Sequence, residues 1–363
     1  MKVVQHNISN NKRIGEKKHM FVNKKPLFNE FGDIDISKKR IINGNTTNLN
    51  DFNNMKYGWV SDWYRQAMNN FWIPEEINLA QDLKDYNKLT KDERLAYDKI
   101  LSFLIFLDSI QTANISNINN YISASEINLC LTIQGFQEAV HSQSYSYMLD
   151  TICSPEKRNE ILYQWKKDKI LLERNKFIGD LYNNFLENPS KVNLVKTLMA
   201  NYILEGIYFY SGFMFFYNLE RNGKMPGSAQ EIRYINRDEN THLWLFRNIL
   251  KEIQIEEPEV FTKELKDELK QMMISGVNNE ILWGHYVIGD NIQGLNKNLI
   301  TSYIKYLGNK RMKAIGLEEI YEGYSKNPAT WVDIFADANS VKTDFFEAKS
   351  TAYAKVGALI DDL

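Results

Sequence analysis

The run Leu101-Ser-Phe-Leu-Ile-Phe-Leu-Asp108 ends an otherwise apolar stretch with a single carboxylate. The same arrangement recurs in Tyr202-Ile-Leu-Glu-Gly-Ile-Tyr-Phe-Tyr210, where apolar residues flank Glu205 on both sides. A helix that is apolar on every face is buried, and an unpaired carboxylate is costly to bury. The two stretches therefore predict long interior helices whose acids meet positively charged partners.

Two Glu-x-x-His motifs supply more side chains of this kind. The chain has five histidines, and two of them close the motifs Glu138-Ala-Val-His141 and Glu239-Asn-Thr-His242. Residues i and i+3 share one face of a helix, so each motif points a carboxylate and an imidazole the same way. Asp108 lies upstream of the first motif, and Glu205 lies upstream of the second. In both cases the spacing is about the length of one helix, a turn and the return along a second helix. An antiparallel helix pair would bring each acid level with its motif.

Four carboxylates and two imidazoles that converge in an apolar interior predict a metal site. Without cations the carboxylates would repel one another at a high desolvation cost. Carboxylate-rich ligation with imidazole suits iron or manganese, whereas a structural zinc prefers thiolates and four ligands. Six ligands, one set from each half of a bundle, favour a dinuclear site with bridging carboxylates, as in the di-metal four-helix bundles.

The rest of the chain also indicates an all-helical protein. It contains 18 Gly and 7 Pro in 363 residues, too few for a turn-rich sandwich or barrel. Thr90 and Glu93 form a capping-box pattern ahead of the first long apolar run. The predicted helices cover about 91–117, 125–151, 155–187 as a pair, 190–221, 227–251, 262–288 and 297–314.

We expect three segments along the chain. Residues 1–55 carry basic clusters and an Asn-rich tract, which predicts a partly irregular N-terminal arm that is solvated or strapped over the main domain. Residues 56–330 form the helical bundle with its metal site, and residues 331–363 form a tail. The formal net charge of -2 gives no global attraction to nucleic acid or membrane, so neither is an expected partner.

Composition also bears on the cellular compartment. The longest charge-free apolar stretch, residues 206–219, is shorter than the ~20 residues that span a bilayer. The N-terminus, Met1-Lys-Val-Val4, lacks the features of a signal peptide. Two cysteines give no disulfide framework, which suits a reducing compartment. We therefore expect a soluble cytoplasmic protein.

Aromatic and acidic neighbours of the motifs suggest redox chemistry. Tyr145 lies four residues after His141 on the same helix face, where a phenol shielded from solvent could hold a radical, although plain core packing is the common role of a buried tyrosine. Asp238, beside Glu239, could accept a hydrogen bond from a metal-bound histidine, or serve as a capping or surface acid. Three apolar residues are predicted to form a dry collar near the metals: Phe209, Phe213 and Ile235.

From about Asn70 onward the chain resembles the small, radical-generating subunit of class I ribonucleotide reductase, a ferritin-like di-metal carboxylate family. The segments that carry the resemblance are Phe71-Trp72-Ile-Pro-Glu-Glu76, Leu107-Asp108-Ser-Ile110, Glu138-Ala-Val-His-Ser-Gln-Ser-Tyr145, Leu204-Glu205-Gly-Ile-Tyr-Phe209, Ile235-Asn-Arg-Asp-Glu-Asn-Thr-His242, Gly294-Leu-Asn-Lys297 and Asn309-Lys-Arg-Met-Lys-Ala-Ile-Gly316. The resemblance implies a ferritin-like helical bundle with additional helices. It also implies two metals, one bound by Asp108, Glu138 and His141 and the other by Glu205, Glu239 and His242.

The resemblance further implies a radical-transfer role. Tyr145 would carry a stable tyrosyl radical, and Trp72, Asp238 and His141 would form a hydrogen-bonded path to the surface. Tyr353 would relay the radical to a large catalytic subunit on which the C-terminal tail docks, so that ribonucleotides are reduced to deoxyribonucleotides. The implied cofactor is two iron ions per chain, or two manganese ions, and the implied partners include a second copy of the chain and a flavodoxin-like activator. Gln134 departs from the pattern, because some members carry Trp there.

Three other interpretations fit parts of the pattern. A di-iron carboxylate oxidase or monooxygenase would act on a substrate in its own cavity. An iron-storage bundle would assemble into a cage and hold many irons per chain. An inert helical scaffold would bind no metal, so a metal content of about two per chain would exclude it.

Overall fold

The computed structural model describes residues 20–337, in which a largely irregular segment before residue 59 is followed by a succession of helices. The α-helices are α1 Trp59–Asn69, α2 Ala80–Tyr86, α3 Lys91–Asn119, α4 Ser125–Ile152, α5 Pro155–Lys167, α6 Lys169–Glu187, α7 Lys191–Ile203, α8 Tyr210–Arg221, α9 Pro226–Glu256, α10 Lys263–Val287, α11 Lys297–Ala314 and α12 Thr330–Ala336. A π-helix, Leu204–Tyr208, joins α7 to α8, and short 3-10 turns cover Ile36–Lys38, Pro74–Glu76 and Pro258–Val260. The all-α prediction is confirmed. No helix in the described ranges combines the length and apolar character that crossing a bilayer requires.

Most helix ends lie where the sequence signals place them. Helix α3 begins at the predicted capping box, in which the Glu93 backbone N–H donates to the Thr90 hydroxyl over 3.2 Å. The Glu93 carboxylate in turn accepts from the Thr90 backbone N–H over 2.9 Å. Such a box satisfies two backbone donors that would otherwise lack partners at the helix N-terminus. Helix α9 runs several residues beyond the predicted end, to Glu256.

The predicted continuous helix over 190–221 is interrupted. The structure breaks it into α7, the π-helix Leu204–Tyr208 and α8. The residues of this π-helix are all fully buried. The surrounding sequence is apolar on every face, so it has no apolar stripe whose position could shift between one side of the π-helix and the other. The hydrophobic pattern therefore cannot reveal the change of helical register.

The acidic interior is enclosed by four long segments: α3, α4, the segment formed by α7, the π-helix and α8, and α9. Helices α3 and α4 form the most extensive helix pair, and α9 packs against α4, α7, the π-helix and α8. These segments make the four-helix core, and α10 and α11 cover the side of the π-helix. The core thus brings residues from widely separated parts of the chain to one buried point.

The N-terminal segment from residue 20 to 58 is fastened to the bundle. Isolated β-bridges pair Phe21 with Ser190 and Ile42 with Ile122. Arg40 forms a 2.7 Å ion pair with the buried Glu257, the acid that follows α9. The segment therefore lies as a strap across the bundle.

The division into arm, bundle and tail stays a prediction. The tail beyond residue 337, including Tyr353, lies outside the described residues.

Candidate metal centre

The six predicted ligands meet at one buried place. Asp108 comes from α3, Glu138 and His141 from α4, Glu205 from the π-helix, and Glu239 and His242 from α9. All six side chains are fully buried. They form two overlapping groups in which the ligand atoms lie within 4.8 Å of one another: Asp108, Glu138, His141 and Glu239, and Glu138, Glu205, Glu239 and His242.

Two carboxylates belong to both groups. Glu239 places one oxygen 3.2 Å from His141 Nδ1 and the other 3.2 Å from His242 Nδ1. Glu138 does the same at 3.6 and 3.4 Å. The centroids of the two imidazole rings are 6.0 Å apart. Glu138 and Glu239 would therefore both be available as ligands to each cation of a dinuclear centre.

The hydrogen bonds of the cluster test whether a metal fits. Among the described residues, the ligand atoms without a hydrogen-bond partner are both Asp108 oxygens, Glu138 Oε2, His141 Nδ1, Glu205 Oε2 and Glu239 Oε1. Buried polar atoms are normally paired, so a group of unpaired acceptors that face one another needs cations. A donor set of four carboxylates and two imidazoles suits iron or manganese. The residues fit a dinuclear metal centre.

Burial also sets the protonation of the metal-free cluster. It raises the pKa of Asp108 and of Glu205 well above the ordinary value, and the neighbouring carboxylates Glu138 and Glu239 raise both further. The pKa of Glu138 is raised for the same reasons. Burial opposes ionisation of Glu239 too, but the two imidazoles that face its oxygens at 3.2 Å outweigh burial and lower the pKa of Glu239. Without a cation, the cluster would therefore retain protons that metal binding must displace.

His141 also belongs to a chain of hydrogen-bonded polar groups that extends away from the cluster. Its Nε2 lies 3.2 Å from Asp238 Oδ2, and the Trp72 indole N–H donates to the same oxygen over 2.9 Å. Trp72 and Asp238 are buried, whereas the adjoining Phe71 is 62% exposed. The structure thus brings the three residues of the predicted path together and leads it toward the surface.

Tyr145 lies on α4, one turn beyond His141, and is fully buried. Its hydroxyl makes no hydrogen bond of good geometry to another described residue. Burial raises the pKa of Tyr145 far above the usual range, and the negative charge of Asp108 adds to the effect. The phenol therefore stays protonated and shielded from water.

The residues of the predicted collar, Phe209, Phe213 and Ile235, are all buried. Glu205 lies inside the π-helix and Phe209 directly follows it, so the four-residue spacing between them does not correspond to one α-helical turn. The Phe209 and Phe213 rings contact each other at a centroid distance of 5.7 Å. A role for this collar at the metal centre stays a prediction.

Three amide side chains surround the ligands, and of these only Gln134 was singled out from the sequence. Gln137 Oε1 accepts from His242 Nε2 over 2.9 Å when that nitrogen carries its proton. Gln111 and Gln134 both donate to Glu205 Oε1, over 2.7 and 2.8 Å. The departure at Gln134 is therefore a hydrogen-bond donor to a candidate ligand. The signal was present, because each amide interrupts a buried helix face close to a predicted ligand.

The fold and the cluster define a class of protein: a four-helix bundle with a buried dinuclear carboxylate–histidine centre. The family model described as "Ribonucleotide reductase, small chain" matches residues 49–328. The chain belongs to this family, and it is a small subunit of ribonucleoside-diphosphate reductase. The expected family, ferritin-like fold and oxidoreductase class are confirmed.

Named relatives support this assignment over nearly the whole chain. The ribonucleoside-diphosphate reductase subunit beta of Treponema pallidum is 67% identical over 94% of this chain and 97% of its own length. The subunit beta of Halalkalibacterium halodurans is 41% identical over 88% of this chain and 92% of its own. The solved ribonucleotide reductase R2 subunit from Clostridium botulinum superposes with a TM-score of 0.85 at 53% identity, covering 87% of this chain and 99% of that one.

Metal binding should release protons. We expect the metal-free protein to bind two Mn(II) ions per chain and to expel protons from the carboxyls whose pKa burial raises. Fewer such protons remain as the pH rises, so the apparent affinity should increase by up to about tenfold per pH unit for each proton displaced. Calorimetric titrations in two buffers of different ionisation enthalpy count the released protons.

Two substitutions on α9 make this test specific. Glu239→Gln should abolish tight binding of the second ion, because Glu239 belongs to both ligand groups. Glu231→Gln is the matched control, since Glu231 is also fully buried and lies about two turns earlier on the same helix, outside both groups. Equal metal loss in both variants would contradict the assignment.

Proposed function

We propose that this subunit stores an oxidising equivalent as a radical on Tyr145 and lends it to a large catalytic subunit that reduces ribonucleotides. The observation that carries the proposal is the position of Tyr145, which is fully buried one helical turn from His141. When bound, the metal pair supplies the one-electron oxidising power that converts the phenol to a radical.

The protein's own residues keep that radical long-lived. Tyr145 is inaccessible to solvent, so water and external reductants cannot contact the ring. Its hydroxyl keeps its proton until the ring is oxidised, since burial and Asp108 raise its pKa. Asp108, Glu138 and His141 would hold one metal beside it, and Glu205, Glu239 and His242 the other.

The route out of the site uses the polar chain. Trp72, Asp238 and His141 are linked by contacts of 2.9 and 3.2 Å, which supports a role in passing the oxidising equivalent between the metal centre and the surface. We propose that Tyr353 continues the route and that residues 331–363 dock on the large subunit. A second copy of this chain would complete a homodimeric small subunit. The function belongs in the cytoplasm, where the free Cys130 and Cys153 stay reduced.

A reconstitution experiment tests this function and the choice of metal. Metal-free protein is loaded with Fe(II) and air, or with Mn(II), air and a reduced flavodoxin-like activator. We expect an organic radical signal in electron paramagnetic resonance, and deoxyribonucleotide formation once the large subunit is added. The loading that gives both identifies the metal, and a requirement for the flavoprotein would support the proposed activator. Two bound metals with no radical under either condition would contradict the proposal.

The oxidase alternative has less structural support. A cavity of about 490 Å³ lies between α3 and α6, lined by Phe106, Asn114 and Tyr182 among others. None of the six candidate ligands lines it. A substrate held there would not contact the metals, so the buried Tyr145 remains the better acceptor of oxidising equivalents.

A further inference from the structure

We propose that three buried charged residues, Arg174, Glu280 and Arg311, hold the π-helix in register and thereby position Glu205 as a metal ligand. We call these three residues the π-clamp. The proposal rests on the proposed ligand role of Glu205, and it extends that role to residues that touch no metal. Arg311 belongs to the Asn309–Gly316 motif, for which the radical chemistry gives no use.

A π-helix breaks the regular backbone pairing of the helix that contains it. Its i to i+5 pattern leaves carbonyl and amide groups at its ends without the partners that an α-helix provides. The Arg311 Nε donates to the Gly206 carbonyl over 3.3 Å, and an Arg174 Nη donates to the Tyr208 carbonyl over 2.5 Å. Both carbonyls belong to the π-helix. Two arginines from distant helices therefore bind its backbone directly.

Glu280 completes the arrangement just beyond the π-helix. Its Oε1 accepts the backbone N–H of Ser211 over 2.8 Å, and its other oxygen pairs with Arg174. Arg174 in turn stacks on the ring of Tyr208 at 3.8 Å from the centroid. The ion pair thus links one carbonyl of the π-helix to an amide at the start of α8.

The burial of the π-clamp indicates that its charges serve the π-helix. Arg174 is 3% exposed, Arg311 is 2% exposed, and Glu280 is fully buried. Burying a charge is costly, and a buried ion pair is often no more stabilising than apolar residues of similar size. Apolar residues could fill the same space but could not bind the backbone groups of the π-helix. These charges therefore serve to position the backbone of the π-helix rather than to add net stability to the fold.

Three glycines allow the residues of the π-clamp to approach the π-helix and the start of α8 closely. A Cβ at Gly206 would lie 3.1 Å from the Arg311 Nε, so the missing side chain makes room for the guanidinium. On α10, Gly276 and Gly284 stand four residues before and after Glu280. A Cβ at Gly276 would lie 2.5 Å from the Ile203 side chain, and one at Gly284 would lie 2.9 Å from the Ser211 hydroxyl oxygen. These glycines let α10 approach closely enough for Glu280 to accept from the Ser211 amide.

Register matters because Glu205 lies inside the π-helix. If the segment reverted to an α-helix, residues on its two sides would shift by one position, a rotation of about 100°. The packed aromatic residues of α8 resist that rotation, so Glu205 would move away from its position 3.9 Å from His242 Nδ1. Loss of the clamp should therefore weaken the metal held by Glu205 and His242 and spare the one held by Asp108 and His141.

The test is Mn(II) titration of the metal-free protein, monitored by electron paramagnetic resonance. Wild-type protein should bind two ions per chain and show the broad signal of an exchange-coupled pair. Arg311→Met should bind one ion with near wild-type affinity and the second at least about tenfold more weakly. Its spectrum should show the hyperfine-split signal of isolated Mn(II). Two tightly bound, coupled ions in this variant would overturn the proposal.

A second variant and a control separate positioning from general destabilisation. Arg174→Met with Glu280→Gln removes the contact to the Tyr208 carbonyl, keeps an acceptor for the Ser211 amide and leaves no unpaired charge, so it should repeat the effect. Arg233→Met is the control, because Arg233 is equally buried on α9 but pairs with Glu220 and does not bind the π-helix. It should keep both ions, and loss of one in this control would overturn the proposal. Failure of wild-type protein to bind two ions would instead contradict the proposed function.

Discussion

Tyr145→Phe is expected to abolish the organic radical signal while two metal ions remain bound. The substitution removes only the hydroxyl, which makes no hydrogen bond of good geometry to another described residue, so packing and stability should change by about 1 kcal/mol or less. A phenylalanine ring has no O–H to lose and cannot form a neutral phenoxyl radical. Electron paramagnetic resonance and metal analysis of the same reconstituted sample measure both outcomes.

The matched control is Tyr97→Phe. Tyr97 is also fully buried, and its hydroxyl pairs with that of Ser228 rather than approaching the metal cluster. The control should keep the radical signal, the metal content and nucleotide reduction with the large subunit. A wild-type radical signal in Tyr145→Phe would assign the radical to another residue.

Trp72→Phe is expected to separate radical storage from radical use. The substitution removes the indole N–H that donates to Asp238 Oδ2 but leaves the six ligands and Tyr145 untouched. The radical should therefore form in normal yield, whereas nucleotide reduction with the large subunit should fall on the order of 100-fold. Radical yield is measured by electron paramagnetic resonance, and turnover by deoxyribonucleotide formation.

Trp63→Phe tests whether the loss is specific to the path. Trp63 is a buried tryptophan whose indole N–H also donates to α9, but to the backbone carbonyl of Thr241 over 2.7 Å. Truncating its ring costs similar packing without touching Asp238. Turnover lost equally in both variants would point to packing against α9 rather than to the path from Trp72.

Sequence patterns were sufficient to predict most of the long helices and to identify the six candidate ligands. The Glu-x-x-His spacing puts two side chains on one helix face, and a buried acid one helix upstream can only be explained by an interior partner. Both arguments use relations within one helix or between two neighbours in the chain. Each half of the ligand set could be predicted because those relations are local, whereas the packing of α9 against α4 brings the two halves together.

The features that sequence analysis missed depend on contacts between distant segments. Arg174 and Arg311 lie on helices whose other basic residues are exposed or half-buried, so nothing in the sequence distinguishes the two arginines that pack against the π-helix. The π-helix could not be predicted either, because a stretch that is apolar on every face has no hydrophobic periodicity that would indicate it. Gln137 interrupts a buried helix face, but its partner His242 lies on another helix, so the sequence does not show which group the amide binds.

The two imidazoles of the cluster also differ in their outer neighbours. His141 faces the carboxylate of Asp238 through Nε2, whereas His242 faces the neutral amide of Gln137. A carboxylate behind an imidazole makes it a stronger electron donor than an amide does. The two imidazoles are thus unequal donors despite their matching motifs, and the stronger donor, His141, shares its helix with Tyr145 and is linked through Asp238 to Trp72.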